Sequence, residues 1–242
     1  MAAQETDPSV WEEVLGDPRI ESSLPRVWAC SEYVARSCLR DPHLLRQLTS
    51  EGRLLEQADA EWLEQDLAQH VFAQEEQEVM AQLRRFRRRH AVRIAWRDVA
   101  GWAGLDETLH DLSALADACI RHAYRYAYAA CVRKYGTPRG EESSAPQPLM
   151  ILAMGKLGGG ELNYSSDIDL IFLYPEEGET DGARKVDNAE FFLRVAQKLV
   201  QLLATRTVEG FVYRVDLRLR PFGDSGRIAL SFAAFEHYLQ QH

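Results

Sequence analysis

The spacing of apolar residues changes near residue 140, and this change constrains the fold more tightly than any other feature of the chain. Over residues 59–99 apolar residues recur every three or four positions, which predicts one long amphipathic helix. Beyond residue 148 they fall in short runs and in strict alternation, as is typical of strands. The helical stripe consists of Leu63, Leu67, Val71, Val79, Leu83, Phe86 and Ile94. The predicted fold class is α+β, with an amino-terminal helical region followed by a small mixed sheet with helices.

The first part of the chain carries helix signals and no strand pattern. A second long helix is predicted over 106–135, with Asp106 as its N-cap and Gly136 at its end. Shorter helices are predicted near 24–39 and 43–50, each with a proline close to its start. We therefore expect no strand before the change of spacing.

Residues 136–148 contain three prolines, two glycines and two serines, which predicts a linker with nothing to bury. The linker separates a helical region, 1–135, from a sheet-containing region, 149–242. The second region has the predicted order strand, strand, helix, strand, strand, helix, over 149–154, 168–174, 187–206, 211–220, 227–230 and 232–241. Asp187 and Ser231 are the predicted N-caps of its two helices.

Two aspartates stand at the start of the second predicted strand. Asp167 and Asp169 are two residues apart, so both carboxylates project from one strand face while Ile168 points to the other. Like charges this close repel unless a cation lies between them, and carboxylate oxygens suit Mg²⁺. Taken alone, an Asp-x-Asp pair is more often two solvated acids in a turn.

A glycine-rich turn, residues 155–160, lies ten residues upstream of this pair and follows an apolar strand. Its glycines allow backbone N–H groups to approach an anion closely. The spacing fits neither the P-loop nor the GxGxxG pattern, and a flexible turn is the alternative. Together with Ser165, Ser166 and the two aspartates, the turn favours a phosphate-binding function.

A third aspartate lies in the alternating segment 211–220. Its odd positions are apolar, and the polar residues among its even positions are Arg214, Asp216, Arg218 and Arg220. One interpretation is an exposed ladder of ion pairs. The functional interpretation places Asp216 beside Asp167 and Asp169 as a third acid facing the metal. Arg218 and Arg220 then hold phosphate oxygens, since planar guanidinium groups suit that geometry.

Charge argues against a nucleic-acid function. The net charge is −9, from 28 basic and 37 acidic residues, whereas binding to phosphate backbones needs surplus Lys and Arg. One stretch is basic, and its arginines are Arg84, Arg85, Arg87, Arg88, Arg89, Arg93 and Arg97. We interpret this stretch as a solvated helix face or a docking surface for an acidic partner protein.

The compartment is predicted from what the sequence lacks. Its four cysteines, which are Cys30, Cys38, Cys119 and Cys131, form no CxxC pair and are expected to be buried reduced thiols. No run of 18 apolar residues is present, which argues against a membrane helix. The acidic start, residues 1–7, does not resemble a secretory signal. These features together predict a cytoplasmic protein.

The motifs of the second region resemble a known family. They are Met154-Gly-Lys-Leu-Gly-Gly, Glu161-Leu-Asn, Ser166-Asp-Ile-Asp-Leu170, Arg214-Val-Asp-Leu-Arg-Leu-Arg-Pro221 and Gly223-Asp-Ser-Gly226. This set is similar to that of the bifunctional glutamine synthetase adenylyltransferase/adenylyl-removing enzymes, within the polymerase-β-type nucleotidyltransferase superfamily. The likeness covers residues 80–242 well and the earlier residues loosely.

The resemblance implies a fold, a reaction and a set of site residues. The fold is a polymerase-β-like core, and the chain looks like a truncated amino-terminal module, which in that family uses inorganic phosphate to remove AMP from a tyrosine of glutamine synthetase, giving ADP. Mg²⁺ is expected on Asp167, Asp169 and Asp216. The expected contacts to the phosphates of the nucleotide, ADP or ATP, are Gly155, Lys156, Gly158, Gly159, Ser166, Arg218 and Arg220.

The implied partners are glutamine synthetase, the nucleotide, inorganic phosphate and the PII signal protein. Two alternatives to the removal reaction remain open. One is a uridylyltransferase of the PII protein, which has a similar glycine turn, and the other is a non-catalytic interaction fragment.

Overall fold

A computed structural model describes residues 8–242, and the acidic segment 1–7 lies outside the described residues. The helical region comprises α1 Pro8–Val14, α2 Pro18–Cys30, α3 Glu32–Arg40, α4 Pro42–Ser50, α5 Ala60–His70, α6 Glu76–Ala100 and α7 Leu105–Tyr135. The second region comprises β1 Met150–Met154, α8 Gly155–Gly158, β2 Ile168–Tyr174, α9 Asn188–Ala204, β3 Val215–Asp216, β4 Ala229–Ser231 and α10 Phe232–Gln241, with a short 3₁₀ turn at Gly223–Ser225. The α+β prediction is confirmed, and residues 8–135 contain no strand.

The long helix predicted over 59–99 is instead two helices, α5 and α6. Its predicted apolar stripe is buried throughout, but no stripe residue falls between Val71 and Val79. In this gap the Gln82 side-chain oxygen accepts hydrogen bonds from the backbone N–H groups of Phe72 and Ala73, both at 3.0 Å. Those bonds stabilise a turn and so allow the chain to leave the helix.

Two further helix predictions are wrong in their ends. The segment 24–39 is divided between α2 and α3 by Ser31, whose hydroxyl accepts from the backbone N–H of Val34 at 3.3 Å. Pro25 lies inside α2 rather than near its start. Helix α7 follows Gly104 and has no side-chain cap, so Asp106 lies in its first turn, where a carboxylate still favours the positive end of the helix dipole.

The sheet brings the predicted site segments together. β1 pairs antiparallel with β2, and β2 pairs parallel with both β3 and β4. The predicted strand 211–220 is wrong in length, since only Val215–Asp216 joins the sheet. The preceding N–H groups of Val212 and Tyr213 bond instead to the carbonyl of Leu203 at the end of α9, at 2.9 and 3.1 Å.

The last two helices match their predictions. Asp187 caps α9, accepting from Glu190 N at 2.6 Å, and Ser231 caps α10, accepting from Ala234 N at 3.3 Å. Each cap satisfies a backbone donor that the first helical turn leaves free. A polar residue at that position therefore predicts the start of a helix.

The segment 136–148 is ordered by contacts to the second region. Its backbone N–H groups at Arg139 and Glu141 donate to the carbonyls of Glu179 and Glu177, at 3.0 and 2.8 Å. Gln147 is 3% exposed, so the expectation that this segment has nothing to bury is wrong. The division of the chain into domains at this segment stays a prediction.

Two apolar clusters share helix α6. The first runs from α5, α6 and α7 through the sheet to α9, and the second joins α1–α4 to the other side of α6. Three of the four cysteines are buried free thiols, whereas Cys30 is exposed. Among residues 8–242, no helix combines the length and apolar character needed to cross a bilayer.

The basic stretch on α6 is largely buried, so the predicted solvated face is wrong. Arg84, Arg89, Arg93 and Arg97 are each at most 5% exposed. Three of them pair with acids, Arg89 with Glu51, Arg93 with Asp111 and Arg97 with Glu107, at N–O distances of 2.5, 2.5 and 2.7 Å. Arg84 donates to the carbonyls of Gly210 and Met80 at 2.8 and 2.7 Å, and also to that of Thr205. Apart from Met80, these partners lie outside α6, so the spacing of residues within the helix does not reveal them.

Candidate active site

The turn after β1 is shaped by glycines at close backbone approaches. Gly155 has φ +56°, a conformation that side chains disfavour, and a Cβ there would lie 2.8 Å from Asp169 Oδ2. At Gly158 a Cβ would lie 2.4 Å from the Ala153 carbonyl. The turn therefore places its backbone against the Asp169 carboxylate, with Lys156 and Gly159 exposed on its surface.

Asp169 is the centre of this arrangement. On one side it is in register with Met154 at the end of β1, and on the other with Asp216 of β3. Parallel strand partners in register share a sheet face, so Asp169 and Asp216 lie side by side. Desolvation, followed by the negative charges of Asp216 and Asp167, raises the pKa of the Asp169 carboxyl.

Asp167 and the serine before it are held by neighbouring side chains. The Arg214 guanidinium donates to the Asp167 carboxylate and, at 2.7 Å, to the Ser165 carbonyl. Ser166 donates to Asn163 Oδ1 at 2.6 Å. The Asp167–Arg214 pair is exposed, with 45% and 59% of the side chains accessible.

Asp216 has a second arginine as its partner. Arg218 donates its backbone N–H to Asp216 Oδ1 at 2.8 Å and its Nε to both carboxylate oxygens, at 3.0 and 2.9 Å. Hydrogen bonds from the Arg218 side chain and backbone hold the pKa of Asp216 below its ordinary value. The Arg218 side chain is 74% exposed.

The three carboxylates do not form one cluster in the structure. Within residues 8–242, no three His, Cys, Asp or Glu side chains lie close enough together to hold a metal ion. Asp167 and Asp216 each pair with their own arginine, and convergence of the three acids on one metal ion stays a prediction. The backbone nevertheless sets Asp169 and Asp216 in register.

The carboxylate oxygens of this site fit a divalent cation. Carboxylate oxygens are the ligands that Mg²⁺ prefers. Desolvation and then the charges of Asp216 and Asp167 raise the pKa of Asp169, and a cation beside these acids would offset their repulsion. The opposing arginines are exposed, and exposed ion pairs contribute little stability, so their rotation away is inexpensive. Asp167, Asp169 and Asp216 are therefore the residues of this chain suited to Mg²⁺.

Arg220 is placed differently from Arg218. Its side chain is only 9% exposed, and it donates to the carbonyls of Leu217 and Gly226, at 2.6 and 3.3 Å. These contacts close the loop 221–226. Arg220 therefore braces this loop, whereas Arg218 remains at the surface beside Asp216.

Sequence reasoning missed two residues of the site. Arg214 was placed on the polar face of its segment but given no role, although its two-residue spacing from Asp216 was a signal. Asn163 appeared only within a family motif, and its role of accepting the hydrogen bond from the Ser166 hydroxyl was not predicted. Tyr164 ties the same loop to α6 through a hydrogen bond from its hydroxyl to Asp98, at 2.9 Å. The contacts Arg214–Asp167 and Tyr164–Asp98 join residues 47 and 66 positions apart, which local spacing does not reveal.

Comparison with known proteins gives consistent relatives. The chain is 50% identical over 216 residues to the bifunctional glutamine synthetase adenylyltransferase/adenylyl-removing enzyme of Nitrosococcus oceani, covering 88% of this chain and 22% of the relative. It is also 50% identical over 217 residues to the protein of that name from Pseudomonas aeruginosa, covering 89% and 22%. The corresponding values for the Shewanella loihica protein are 48% over 225 residues, 93% and 23%.

The chain thus spans less than a quarter of the length of these curated relatives. A sequence model of one family, described as glutamate-ammonia ligase adenylyltransferase, matches residues 22–242. That match includes the glycine turn, all three aspartates and most of the helical region. On this match the chain belongs to the glutamate-ammonia ligase adenylyltransferase family.

Proposed function

We propose that this chain carries out nucleotidyl transfer on glutamine synthetase, removing AMP from an adenylylated tyrosine with inorganic phosphate and releasing ADP. The observation that carries the proposal is the in-register pair Asp169 and Asp216 against the Gly155 turn, in a chain of this family. The cytoplasm is the proposed location, and the PII signal protein is a proposed regulatory partner.

The chemistry is a displacement at the phosphorus of the AMP group. An oxygen of inorganic phosphate forms the new bond to this phosphorus, and the bond to the tyrosine oxygen breaks. The tyrosinate takes a proton from solvent, and ADP leaves. Negative charge rises on both the attacking and the leaving oxygen, so a site for this reaction needs positive charge and N–H donors around the phosphorus.

The residues have separate roles in this proposal. Asp167, Asp169 and Asp216 hold Mg²⁺, which supplies charge stabilisation when bound. The backbone of the glycine turn, with Lys156 and Ser166, binds the phosphates. Arg218 binds phosphate oxygens once it leaves Asp216, and Arg220 contributes by bracing the adjacent loop.

The removing direction rests on the resemblance stated above, in which the amino-terminal module removes AMP. The same carboxylates would serve transfer of AMP from ATP to the tyrosine. Glutamine synthetase as the substrate follows from the names of the relatives. Direction and substrate are therefore the two parts to test first.

The decisive experiment measures ADP release from adenylylated glutamine synthetase, with Mg²⁺ and phosphate, by the purified chain. The variant Asp169→Asn keeps the side-chain shape and removes one charge. We expect it to lose at least about 10²-fold in rate, roughly 2.7 kcal/mol of transition-state stabilisation. Asp106→Asn, on the exposed start of α7, is the matched control and should keep the wild-type rate.

Other outcomes identify the alternatives. AMP transfer from ATP without ADP release would reverse the proposed direction. Activity only with PII protein and UTP would favour the uridylyltransferase. Binding to glutamine synthetase without turnover in either direction would mean that this chain is an interaction fragment.

A further inference from the structure

A cavity of about 520 Å³ lies beside the candidate active site, and the proposed function does not use it. Its walls come from the turn between α2 and α3, from α6 and α7, from the loop 162–166 and from the segment 211–214. Most of the wall is apolar, including Ala91, Ala95, Leu112 and Leu115. This volume is in the range of small-molecule sites, which are typically apolar with a few placed polar groups.

Arg87 lines this cavity, and its pairing differs from that of its neighbours on α6. The other six arginines of the basic stretch bond to a carboxylate or to backbone carbonyls, as shown for Arg84, Arg85, Arg88, Arg89, Arg93 and Arg97. Within residues 8–242, Arg87 has neither kind of partner. Its one hydrogen bond goes from Nη1 to the Tyr33 hydroxyl, at 3.3 Å.

Beyond this bond, Arg87 has no carboxylate or carbonyl acceptor within residues 8–242. Its Nε is buried and has no acceptor within the described chain. The rings of Tyr33 and Tyr213 lie 6.0 and 5.4 Å from the guanidinium carbon, so aromatic faces flank the charge. Cation–π contacts of this kind offset only part of the cost of burying a charge. A guanidinium offers five N–H donors and keeps its proton at any ordinary pH.

We propose that this cavity binds a small organic carboxylate, with its charged end on Arg87 and its apolar body against α6 and α7. A carboxylate matches a guanidinium in charge and in planar, two-pronged geometry. A phosphate dianion fits less well, because one free guanidinium would leave a negative charge uncompensated in apolar surroundings. This site goes beyond the proposed function and does not depend on it.

The cavity also touches the candidate active site. Ser166 and Arg214 form part of its wall, and Arg214 holds the Asp167 carboxylate. A bound carboxylate therefore lies next to the loop that carries Asp167. This proximity gives the ligand a physical route to affect the site.

The test is calorimetric titration of the chain with phenylacetate, benzoate and hexanoate, each compared with its neutral amide. At least one acid should bind with one-to-one stoichiometry, and its amide should bind at least about 10-fold more weakly, because a charge-assisted bond is lost. Arg87→Met keeps the apolar stem and removes the charge, and it should weaken acid binding by a similar factor. Arg85→Met, at an exposed position on the same helix, is the matched control and should not change it.

Three results would overturn the proposal. They are no binding by any of the acids, equal binding of acid and amide, or equal affinity in wild type and Arg87→Met. Competition by inorganic phosphate at equal concentration would assign the site to phosphate instead. If Arg87→Met does not fold, the Nε–H resonances of ¹⁵N-labelled arginine in the wild-type chain decide the matter. One of them should shift with the acid and not with the amide.

Discussion

Arginine–carboxylate pairs occur in two regions of this molecule, in opposite surroundings. Between α6 and α7, Arg93 and Asp111 meet with 0% and 3% of their side chains exposed. At the candidate site, Arg214 and Asp167 meet with 59% and 45% exposed. A buried pair cannot separate without leaving an uncompensated charge, whereas an exposed pair exchanges its partner for water at little cost. Burial thus distinguishes arginines that stabilise the fold from exposed arginines whose side chains can rearrange around a substrate.

The largest effect is expected when the buried pair is broken. Arg93→Met keeps most of the side-chain volume but leaves Asp111 buried and unpaired, so unfolding should become easier by about 3–5 kcal/mol. Chemical denaturation monitored by circular dichroism measures this loss. Arg125→Met is the control, because Arg125 is 64% exposed in its pair with Glu64, and its loss should be within about 1 kcal/mol. Equal losses in the two variants would remove the distinction drawn here.

A second buried group of α6 should make stability depend on pH. Burial lowers the pKa of His90 to about 4, and Asp66 Oδ2 lies 2.8 Å from its Nε2. The unfolded chain binds a proton here near pH 6.5 and the folded chain only near pH 4. Stability from this group is therefore full above pH 6.5 and is lost as pH falls to 4, by about 3 kcal/mol.

Denaturation midpoints at several pH values measure this effect. His90→Asn removes the titrating group and should flatten the curve between pH 6.5 and 4. A wild-type curve that is already flat in this range would contradict the buried, neutral state of His90.

A smaller effect, a gain in stability rather than a loss, is expected at the candidate site. Because the raised pKa of Asp169 means that its charge is disfavoured in the folded chain, Asp169→Asn should raise Tm at pH 7. The gain should vanish as pH falls below the ordinary range of an aspartate, where both states are protonated. Mg²⁺ should raise the Tm of the wild type and not that of the variant. A lower Tm for the variant at pH 7 would argue that Asp169 stabilises the fold.

The smallest effect is expected for the exposed pair. Arg214→Met should change the free energy of unfolding by no more than about 1 kcal/mol, since the pair is solvated. Thermal denaturation in low and high salt measures the change and its screening. A loss comparable to that of Arg93→Met would place Arg214 among the arginines that hold the fold.

The sequence predicted helices and strands well where a capping residue or a run of apolar residues marked them. β2 was predicted to the residue from its apolar run, and the caps Asp187 and Ser231 followed from their residue types. The same local reasoning put 211–220 in one strand. The alternation there is real, but Val212 and Tyr213 bond to α9, a partner that no spacing reveals.

The candidate site was predicted in composition and not in arrangement. Asp169 and Asp216 were expected to share a face, and the register of β2 and β3 agrees. The Asp216–Arg218 pair agrees with the ion-pair interpretation of the segment 211–220, whereas the Arg214 partner of Asp167 was not expected, because that pairing depends on side-chain positions in two segments. The arginines of α6 show the same limit. A run of like charges predicts a solvated face, whereas in the structure these arginines pair with acids on α7 and with Glu51, directly after α4.

The contact between α7 and α9 bears on how this protein can be divided. Tyr128 of α7 and Phe191 of α9 meet edge to face, with ring centroids 5.6 Å apart, inside the apolar cluster that continues into the sheet. Residues 149–242, transplanted by themselves into a chimeric enzyme, would bring one half of that interface and expose it to water. The smallest portable unit of this protein therefore includes α7 together with α6, which packs on α7 in the same cluster, and a cut at the proline-rich segment would divide one core.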